Sequence, residues 1–200
     1  MDTVTLTIKP RHLAGTDIAR KVRRAGLLPA VMYGEGTASR AVAVDPKVLK
    51  RGLTSGYGRN QIFELEVAGE TGTKLAICKD VQLEPLSRIL KHVDFFLVQT
   101  NSKITVTLPV VLSGRSAGQK AGGRLEFINR KVKVSCTPAT LPKLVEIDVS
   151  PFENGYVLNI ADLPLPAGVT PVFKKAFKIF EIIAPKVEEK AAEEPVKKKK

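Results

Sequence analysis

The 200-residue sequence has only two cysteines and two histidines, and it has no apolar run long enough to cross a membrane. Cys78 and Cys136 each lie alone in an apolar, strand-like segment, with no second thiol or histidine nearby. We therefore expect neither a metal site nor a disulfide, and we expect both thiols to be buried in a protein of a reducing compartment. The N-terminus also lacks the basic-then-apolar order of a signal peptide. These absences favour a cytoplasmic protein.

Helical periodicity is scarce as well, and short alternating segments bounded by Pro and Gly dominate. We predict strands over 3–9, 27–33, 40–44, 62–67, 74–83, 92–98, 104–112, 125–128, 131–135, 144–149 and 177–183. A short helix is predicted from Pro46 to Lys50, and loops are predicted over 52–60 and 114–123. The fold class is therefore mainly β with short helices.

A polar stretch at 99–103 divides these strands into two sets. We expect an N-terminal domain over 1–98 and a second all-β domain over 99–184. The last segment, 185–200, is rich in Glu and Lys and has almost no bulky apolar residue, so we predict a disordered charged tail.

The net charge of +12 favours a polyanionic partner such as nucleic acid or an anionic membrane surface. The positive excess is spread over both domains and the tail, so total charge does not identify the binding segment. Gly114–Arg124 superficially resembles a phosphate-binding loop, but its glycine spacing and the residues that follow do not fit that motif. We expect a flexible basic loop there.

One segment after Gly15 does combine charge with periodicity and predicts a basic amphipathic helix. Its apolar face carries three residues that can dock the helix, Ile18, Val22 and Ala25. The remaining surface carries four cations, Arg20, Lys21, Arg23 and Arg24. Thr16 or Asp17 can cap the start, and Gly26 suits the left-handed position after the end. Such a helix either contacts phosphates or is a solvated surface helix.

His92 and Asp94 alternate along one predicted strand, so both side chains point to the same face. They could begin a catalytic site, hydrogen-bond to each other at a strand edge, or read base edges and 2′-hydroxyls in an RNA minor groove. No nucleophile is placed by sequence to complete a catalytic site, so we do not expect an enzyme.

Several short motifs together resemble one family, the 5S-rRNA-binding ribosomal protein twenty-five family of bacteria, general stress protein Ctc type, in its long two-domain form. The N-terminal motifs are Arg11, Gly15, Arg20–Gly26, Pro29–Gly34, Lys79–Gln82, Pro85 and His92–Phe95. The C-terminal motifs are Gly118–Gly123, Val145–Ser150 and Leu163–Val169. The resemblance implies a β-barrel-like N-terminal domain that binds the loop E region of 5S rRNA in the large ribosomal subunit.

The resemblance also implies the residues that contact RNA. Phosphates and base edges would be met by the basic residues Arg11, Arg20, Lys21, Arg23 and Arg24. The minor groove would be lined by Tyr33, Lys79, Gln82, His92 and Asp94. No cofactor, membrane or small-molecule substrate is implied, and neighbouring ribosomal proteins are candidate partners of the C-terminal domain. The expected location is the ribosome in the cytoplasm. The alternative is a stress factor or adaptor that associates with ribosomes without being a constitutive component.

Overall fold

The first half of the chain forms a closed six-stranded barrel. The computed structural model describes residues 3–11, 15–34, 36–70 and 72–184, so the predicted tail at 185–200 lies outside the described residues. The barrel strands are β1 (Val4–Pro10), β2 (Leu28–Gly34), β3 (Thr37–Val44), β4 (Ile62–Val67), β5 (Thr73–Leu83) and β6 (Leu90–Leu97). Their spatial order is β1-β3-β2-β6-β5-β4, and parallel pairing of β1 with β4 closes the sheet. The expected barrel-like N-terminal architecture is confirmed.

The barrel core follows from the alternation of apolar and polar residues along each strand. Inward-facing positions are fully or almost fully buried and include Leu6, Ile8, Met32, Phe63 and Phe95. Most outward-facing positions on the same strands are half-buried or exposed, and Ile62 is buried because the second half of the chain covers it. Because the period of a strand is two, the same alternation that fills the core sets the residues of the outer surface.

Two helices accompany the barrel, α1 (Thr16–Arg24) and α2 (Pro46–Leu53). The Asp45 carboxylate caps α2 by accepting a hydrogen bond from the Lys47 backbone N–H at 2.8 Å. This helix runs past the predicted end at Lys50 and includes Gly52, which is buried against the ring of Phe63, where a Cβ would overlap the ring. The predicted loop over 52–60 is therefore shorter, and its end forms a 3-10 turn at Gly58–Asn60.

The second half of the chain forms two smaller sheets, which confirms the predicted all-β architecture. Its strands are β7 (Ile104–Ser113), β8 (Arg124–Phe127), β9 (Lys131–Cys136), β10 (Val145–Asp148), β11 (Val157–Asn159), β12 (Thr170–Pro171) and β13 (Lys178–Ile183). One sheet has the order β10-β7-β9-β12 and the other β11-β13-β8. The short strands β11 and β12 were not predicted.

A short helix, α3 (Ala117–Lys120), lies where a flexible loop was expected, so that prediction is wrong at these residues. Buried Ser116 caps it by accepting from the Gln119 N–H at 3.1 Å, and the Gln119 side chain accepts from the Ser116 N–H. Gly118 and Gly123 pack so closely on Asn154 that a side chain at either position would overlap it. The segment is therefore a packed turn.

The two halves share apolar contacts. Ile62 and Ile77, on the outside of the barrel, and Val98 belong to the same buried cluster as Ile104 of β7. The side-chain amide of Asn60 also donates to the backbone carbonyl of Thr107 at 2.8 Å. The expected boundary after residue 98 falls in the connection between β6 and β7.

Candidate nucleic-acid interface

Helix α1 lies on the surface beside β2, with Ile18 and Val22 half-buried on the docking side. The prediction is wrong for Ala25, which is exposed because it is the C-cap residue beyond the end of the helix. The predicted side-chain cap is also wrong: Gly15 is the N-cap, and Thr16 and Asp17 already lie inside the first turn. Gly26 adopts the expected left-handed conformation, with φ of 76°.

The four cations of α1, Arg20, Lys21, Arg23 and Arg24, are all exposed. The Arg20 guanidinium lies 3.6 Å from the Asp17 carboxylate, and both side chains are mostly in solvent, so this pair contributes little stability. Arg23 is different, because its Nε and Nη2 both donate to the backbone carbonyl of Lys91, at 3.3 and 3.1 Å. This contact ties the cationic helix to the start of β6.

Arg11 lies just after β1 and is half-buried. Its Nε donates to the carbonyl of Val42 at 2.9 Å, and its Nη2 donates to the carbonyl of Ala30 at 3.4 Å. Partial burial, and then the positive charge of Arg23, lower the pKa of Arg11. The guanidinium therefore bridges β3 and β2 while adding positive charge next to α1.

Three adjacent strands, β2, β6 and β5, present a polar outer surface, which we call the strand face. Its members are defined by register: Tyr33 pairs with Phe96, Asp94 pairs with Val31 and Asp80, and His92 pairs with Gln82. Paired residues point to the same side of a sheet, so these side chains form one contiguous patch. The strand face comprises Val31, Tyr33, Asp80, Gln82, His92, Asp94 and Phe96.

At the centre of the strand face, Nδ1 of His92 lies 2.9 Å from Oδ1 of Asp94, with both side chains about a quarter to a third exposed (23% and 32%). Because β6 is flanked by β2 and β5, this pair is not at a strand edge. Tyr33 packs edge-on against Phe96, with ring centroids 5.8 Å apart. Partial burial, followed by the charges of Asp94 and Asp80, raises the pKa of the Tyr33 hydroxyl. The patch thus offers donors and acceptors held in fixed positions.

Lys79 lies apart from the centre of the strand face. A register shift between Cys78 and Asp80 marks a bulge at this residue. Its Nζ donates to the carbonyl of Thr105 at 3.2 Å and lies 6.0 Å from the centroid of the Phe96 ring. Lys79 therefore sits where the strand face meets the second half of the chain.

The structure brings most of the predicted residues into two adjoining groups. Arg11 and the α1 cations form one group, and Tyr33, Gln82, His92 and Asp94 form the other. The Arg23–Lys91 contact joins the groups one residue away from His92. Three members of the strand face were missed, Val31, Asp80 and Phe96. Simple alternation from Tyr33, Gln82 and Asp94 would have identified all three.

Within the part of the chain that the structure describes, no helix is both long and apolar enough to span a membrane. Among those same residues, no cluster of three or more His, Cys, Asp or Glu side chains is placed to hold a metal ion.

Comparison with known proteins matches this arrangement to ribosomal proteins. The profile of the Ribosomal L25p family matches residues 6–95, which include α1, most of the barrel and all of the strand face except Phe96. A second profile, Ribosomal protein TL5, C-terminal domain, matches residues 103–186. Among the relatives is the large ribosomal subunit protein bL25 of Syntrophotalea carbinolica, 38% identical over 169 residues that cover 84% of this chain and 81% of the relative.

The chain belongs to the ribosomal L25p family. Two other relatives bear the same name, large ribosomal subunit protein bL25. The protein of Desulforudis audaxviator is 35% identical over 198 residues, covering 97% of this chain and 93% of the relative. The protein of Moorella thermoacetica is 36% identical over 171 residues, covering 84% of this chain and 82% of the relative. The resemblance found in the sequence is confirmed, and the L25p family is one of structural, non-enzymatic ribosomal proteins.

Proposed function

We propose that this protein is a structural component of the large ribosomal subunit that binds the loop E region of 5S rRNA. The observation that carries the proposal is the Arg23–Lys91 contact, which fixes a helix with four exposed cations beside the strand face. A flexible basic helix would supply charge alone. A helix fixed relative to a polar patch supplies charge and position together, as recognition of a particular RNA shape requires.

The two groups of residues suit different parts of an RNA helix. Regular A-form RNA has a major groove too deep and narrow for side chains, whereas a groove widened by non-Watson–Crick pairs can admit α1. In this proposal, Arg20, Lys21, Arg23 and Arg24 contact phosphates and base edges there, and Arg11 adds charge behind them. Because these cations are exposed, they can reach RNA without any rearrangement of the barrel.

The strand face would lie on the adjacent minor groove, which in RNA is wide and shallow and displays 2′-hydroxyls. Gln82 and Tyr33 can donate and accept hydrogen bonds, and the His92–Asp94 pair presents an imidazole and a carboxylate at fixed positions. A carboxylate near phosphates is unfavourable unless it accepts hydrogen bonds, so Asp94 would serve discrimination. Lys79 would mark the border of this contact.

The division into domains is part of the proposal. We assign RNA binding to residues 1–98 and contacts with neighbouring ribosomal components to the β-domain over 99–184. In this assignment the protein resides on the ribosome in the cytoplasm. The match of two separate family profiles, to residues 6–95 and 103–186, supports the division.

Binding of the full chain to intact 5S rRNA and to a loop E variant, measured over a salt series, tests the function. We expect tighter binding to intact 5S rRNA at every salt concentration, with a difference that persists as salt rises, because base and shape readout depend less on counterion release than phosphate contacts do. Equal affinity for the two RNAs would contradict loop E recognition.

A second measurement separates a subunit component from an adaptor. A structural component should remain on purified large subunits in stoichiometric amount after a high-salt wash. Release of the protein in mild salt, together with retention of its neighbours, would contradict the assignment as a constitutive component.

A further inference from the structure

An open cleft lies between the barrel and the second half of the chain, with a volume of about 620 Å³. The segment from Ser55 to Asn60 forms one wall, β5 contributes Lys79, and β7 and β9 contribute the opposite wall. Because residues from both halves line it, the cleft exists only when the halves pack as they do through Ile62, Ile77 and Ile104.

The cleft is strongly cationic. Four basic residues line it, Arg59, Lys79, Lys131 and Lys143, and no Asp or Glu is among its lining residues. Two of the cations are held by local contacts: Lys79 Nζ donates to the Thr105 carbonyl, and Lys143 Nζ lies 4.9 Å from the centroid of the Tyr57 ring. Arg59 and Lys131 are exposed.

The positive surface continues beyond the cleft onto α2. A neighbouring open depression of about 490 Å³ is lined by Lys47, Lys50, Arg51, Thr54 and Ser55. Ser55 borders both concavities, so the cations of α2 and those of the cleft follow one another across the surface. We call these seven basic residues the junction belt. No carboxylate lines either concavity.

We propose that the junction belt binds a phosphodiester backbone of ribosomal RNA, at a second contact that adjoins the strand face and lies outside it and outside α1. A row of cations without intervening carboxylates matches a polymer with one negative charge per residue better than it matches a single small anion. The concavities are open and carry seven basic side chains, unlike the enclosed apolar pockets that hold small molecules.

RNA is favoured over an acidic protein because the belt is continuous with the strand face. Lys79 lines the cleft and also lies over the ring of Phe96, which packs on Tyr33. A strand of RNA leaving the strand face would therefore meet the belt next. The proposal rests on the proposed function only in taking ribosomal RNA as the partner, and it does not require loop E to be the segment recognised.

The test uses the full chain with Arg59→Gln and Lys131→Gln combined. Both side chains are exposed, so we expect the fold to persist, with an unchanged circular dichroism spectrum. The control variant combines Lys174→Gln and Lys175→Gln, which removes the same charge from exposed residues of the second half that lie outside the cleft. Affinity is measured over a salt series for two protein-free probes, isolated 5S rRNA and the larger rRNA of the same subunit.

For at least one probe, we expect the cleft variant to reduce the slope of log affinity against log salt by about two units, since each lost phosphate contact removes about one counterion. The control variant should leave that slope unchanged. A reduced slope with 5S rRNA would show that the belt contacts the backbone of 5S rRNA. A reduced slope with the larger rRNA alone would show that the belt contacts the larger rRNA. Both outcomes support the belt.

Equal slopes for the cleft and control variants on both probes would overturn the proposal. Weaker binding of the cleft variant to whole subunits, with unchanged binding to both protein-free RNAs, would also overturn it and would indicate an acidic protein partner. The outcome is separable from that of the loop E experiment, because a protein that ignores the loop E variant can still lose salt dependence when Arg59 and Lys131 are replaced.

Discussion

The guanidinium of Arg23 and the backbone carbonyl of Lys91 join α1 to β6 through two hydrogen bonds, from Nε at 3.3 Å and from Nη2 at 3.1 Å. The partners are 68 positions apart in the chain. Lys91 immediately precedes His92, so the contact sets the distance between the cationic helix and the strand face. A backbone acceptor cannot be moved by a change of rotamer, which makes Arg23 a positioning residue as well as a charge.

Replacing Arg23 should therefore weaken RNA recognition by more than the loss of one positive charge alone would. We expect Arg23→Ala to weaken binding to intact 5S rRNA by about 1–3 kcal/mol and to reduce the preference over a loop E variant. Arg23→Lys should restore the salt dependence but not the preference, because an ammonium group lacks the two-pronged geometry of the guanidinium. Filter binding or fluorescence anisotropy over a salt series measures both quantities.

Arg24→Ala is the matched control, since it removes one exposed cation from the same turn of α1. We expect it to lower the salt slope by about one unit while leaving the preference for intact loop E in place. If Arg23→Ala and Arg24→Ala had identical effects on preference, the positioning role of Arg23 would be wrong.

Arg11 should prove important for the fold, because its guanidinium donates to the carbonyls of Val42 and Ala30 on two strands. We expect Arg11→Ala to lower the free energy of unfolding by about 1.5–3 kcal/mol, the range for hydrogen bonds to a charged group. Urea unfolding measures this loss. Arg20→Ala, which removes an exposed arginine paired only weakly with Asp17, should change stability by less than about 0.5 kcal/mol. A stability loss as small for Arg11→Ala as for Arg20→Ala would show that Arg11 serves binding alone.

Asp94 allows a test of the strand face in which affinity for RNA in general should rise, whereas the arginine variants lower it. Asp94→Asn removes a negative charge from a surface proposed to face RNA, so affinity for unrelated RNA should rise. The same change replaces the carboxylate that His92 contacts at 2.9 Å with a neutral amide, which holds the imidazole less strongly, so the preference for intact loop E should fall, by about 1–3 kcal/mol if one base-edge contact is lost. Competition between 5S rRNA and an unrelated RNA of similar length gives both values.

Glu64→Gln controls for the charge alone, because Glu64 belongs to β4 on another part of the barrel. It should change neither the preference nor the affinity for unrelated RNA by a comparable amount. Unchanged discrimination in Asp94→Asn would remove Asp94 from the proposed interface.

Alternation and turn residues were enough to predict the six strands of the first half, whereas their closure into a barrel was expected only from the family resemblance. Alternation missed β11 and β12, of three and two residues, because so short a strand carries no readable alternation. The helical turn after Ser116 was missed for a different reason. Its stability comes from a buried cap and from packing on Asn154, which lies 38 positions or less away in sequence but is visible only in three dimensions.

The same distinction applies to the interface. Pairing of His92 with Asp94 follows from alternation alone. Alternation does not predict where the Lys79 side chain points, because the bulge between Cys78 and Asp80 turns it toward Thr105. The junction belt was beyond the reach of sequence, since Arg59 and Lys131 become neighbours only after the two halves pack.

Gly34 provides a test of barrel packing. A Cβ at this position would lie 2.7 Å from the Leu97 carbonyl oxygen and 2.7 Å from the Leu97 Cβ, and a backbone atom cannot rotate away. We expect Gly34→Ala to lower the free energy of unfolding by about 1–3 kcal/mol. At Gly56 an added Cβ would meet only the flexible Lys143 side chain at 3.4 Å, so Gly56→Ala should be close to neutral. Equal midpoints for the two variants in urea would contradict the close approach of β2 to β6.

The buried thiol of Cys78 should make the protein sensitive to alkali. Burial raises the pKa of Cys78 to about 12, whereas an unfolded thiol has a pKa of about 8.5. Between these values the unfolded chain loses a proton that the native state keeps, so stability falls as pH rises, by about 2 kcal/mol between pH 8 and pH 10. Cys78→Ala should reduce the pH-dependent loss by that amount, although it is less stable at pH 8. Urea unfolding at both pH values measures the difference. Rapid alkylation of Cys78 in the native protein at pH 9, or an identical pH-dependent loss in Cys78→Ala, would show that this thiol is not shielded by the barrel.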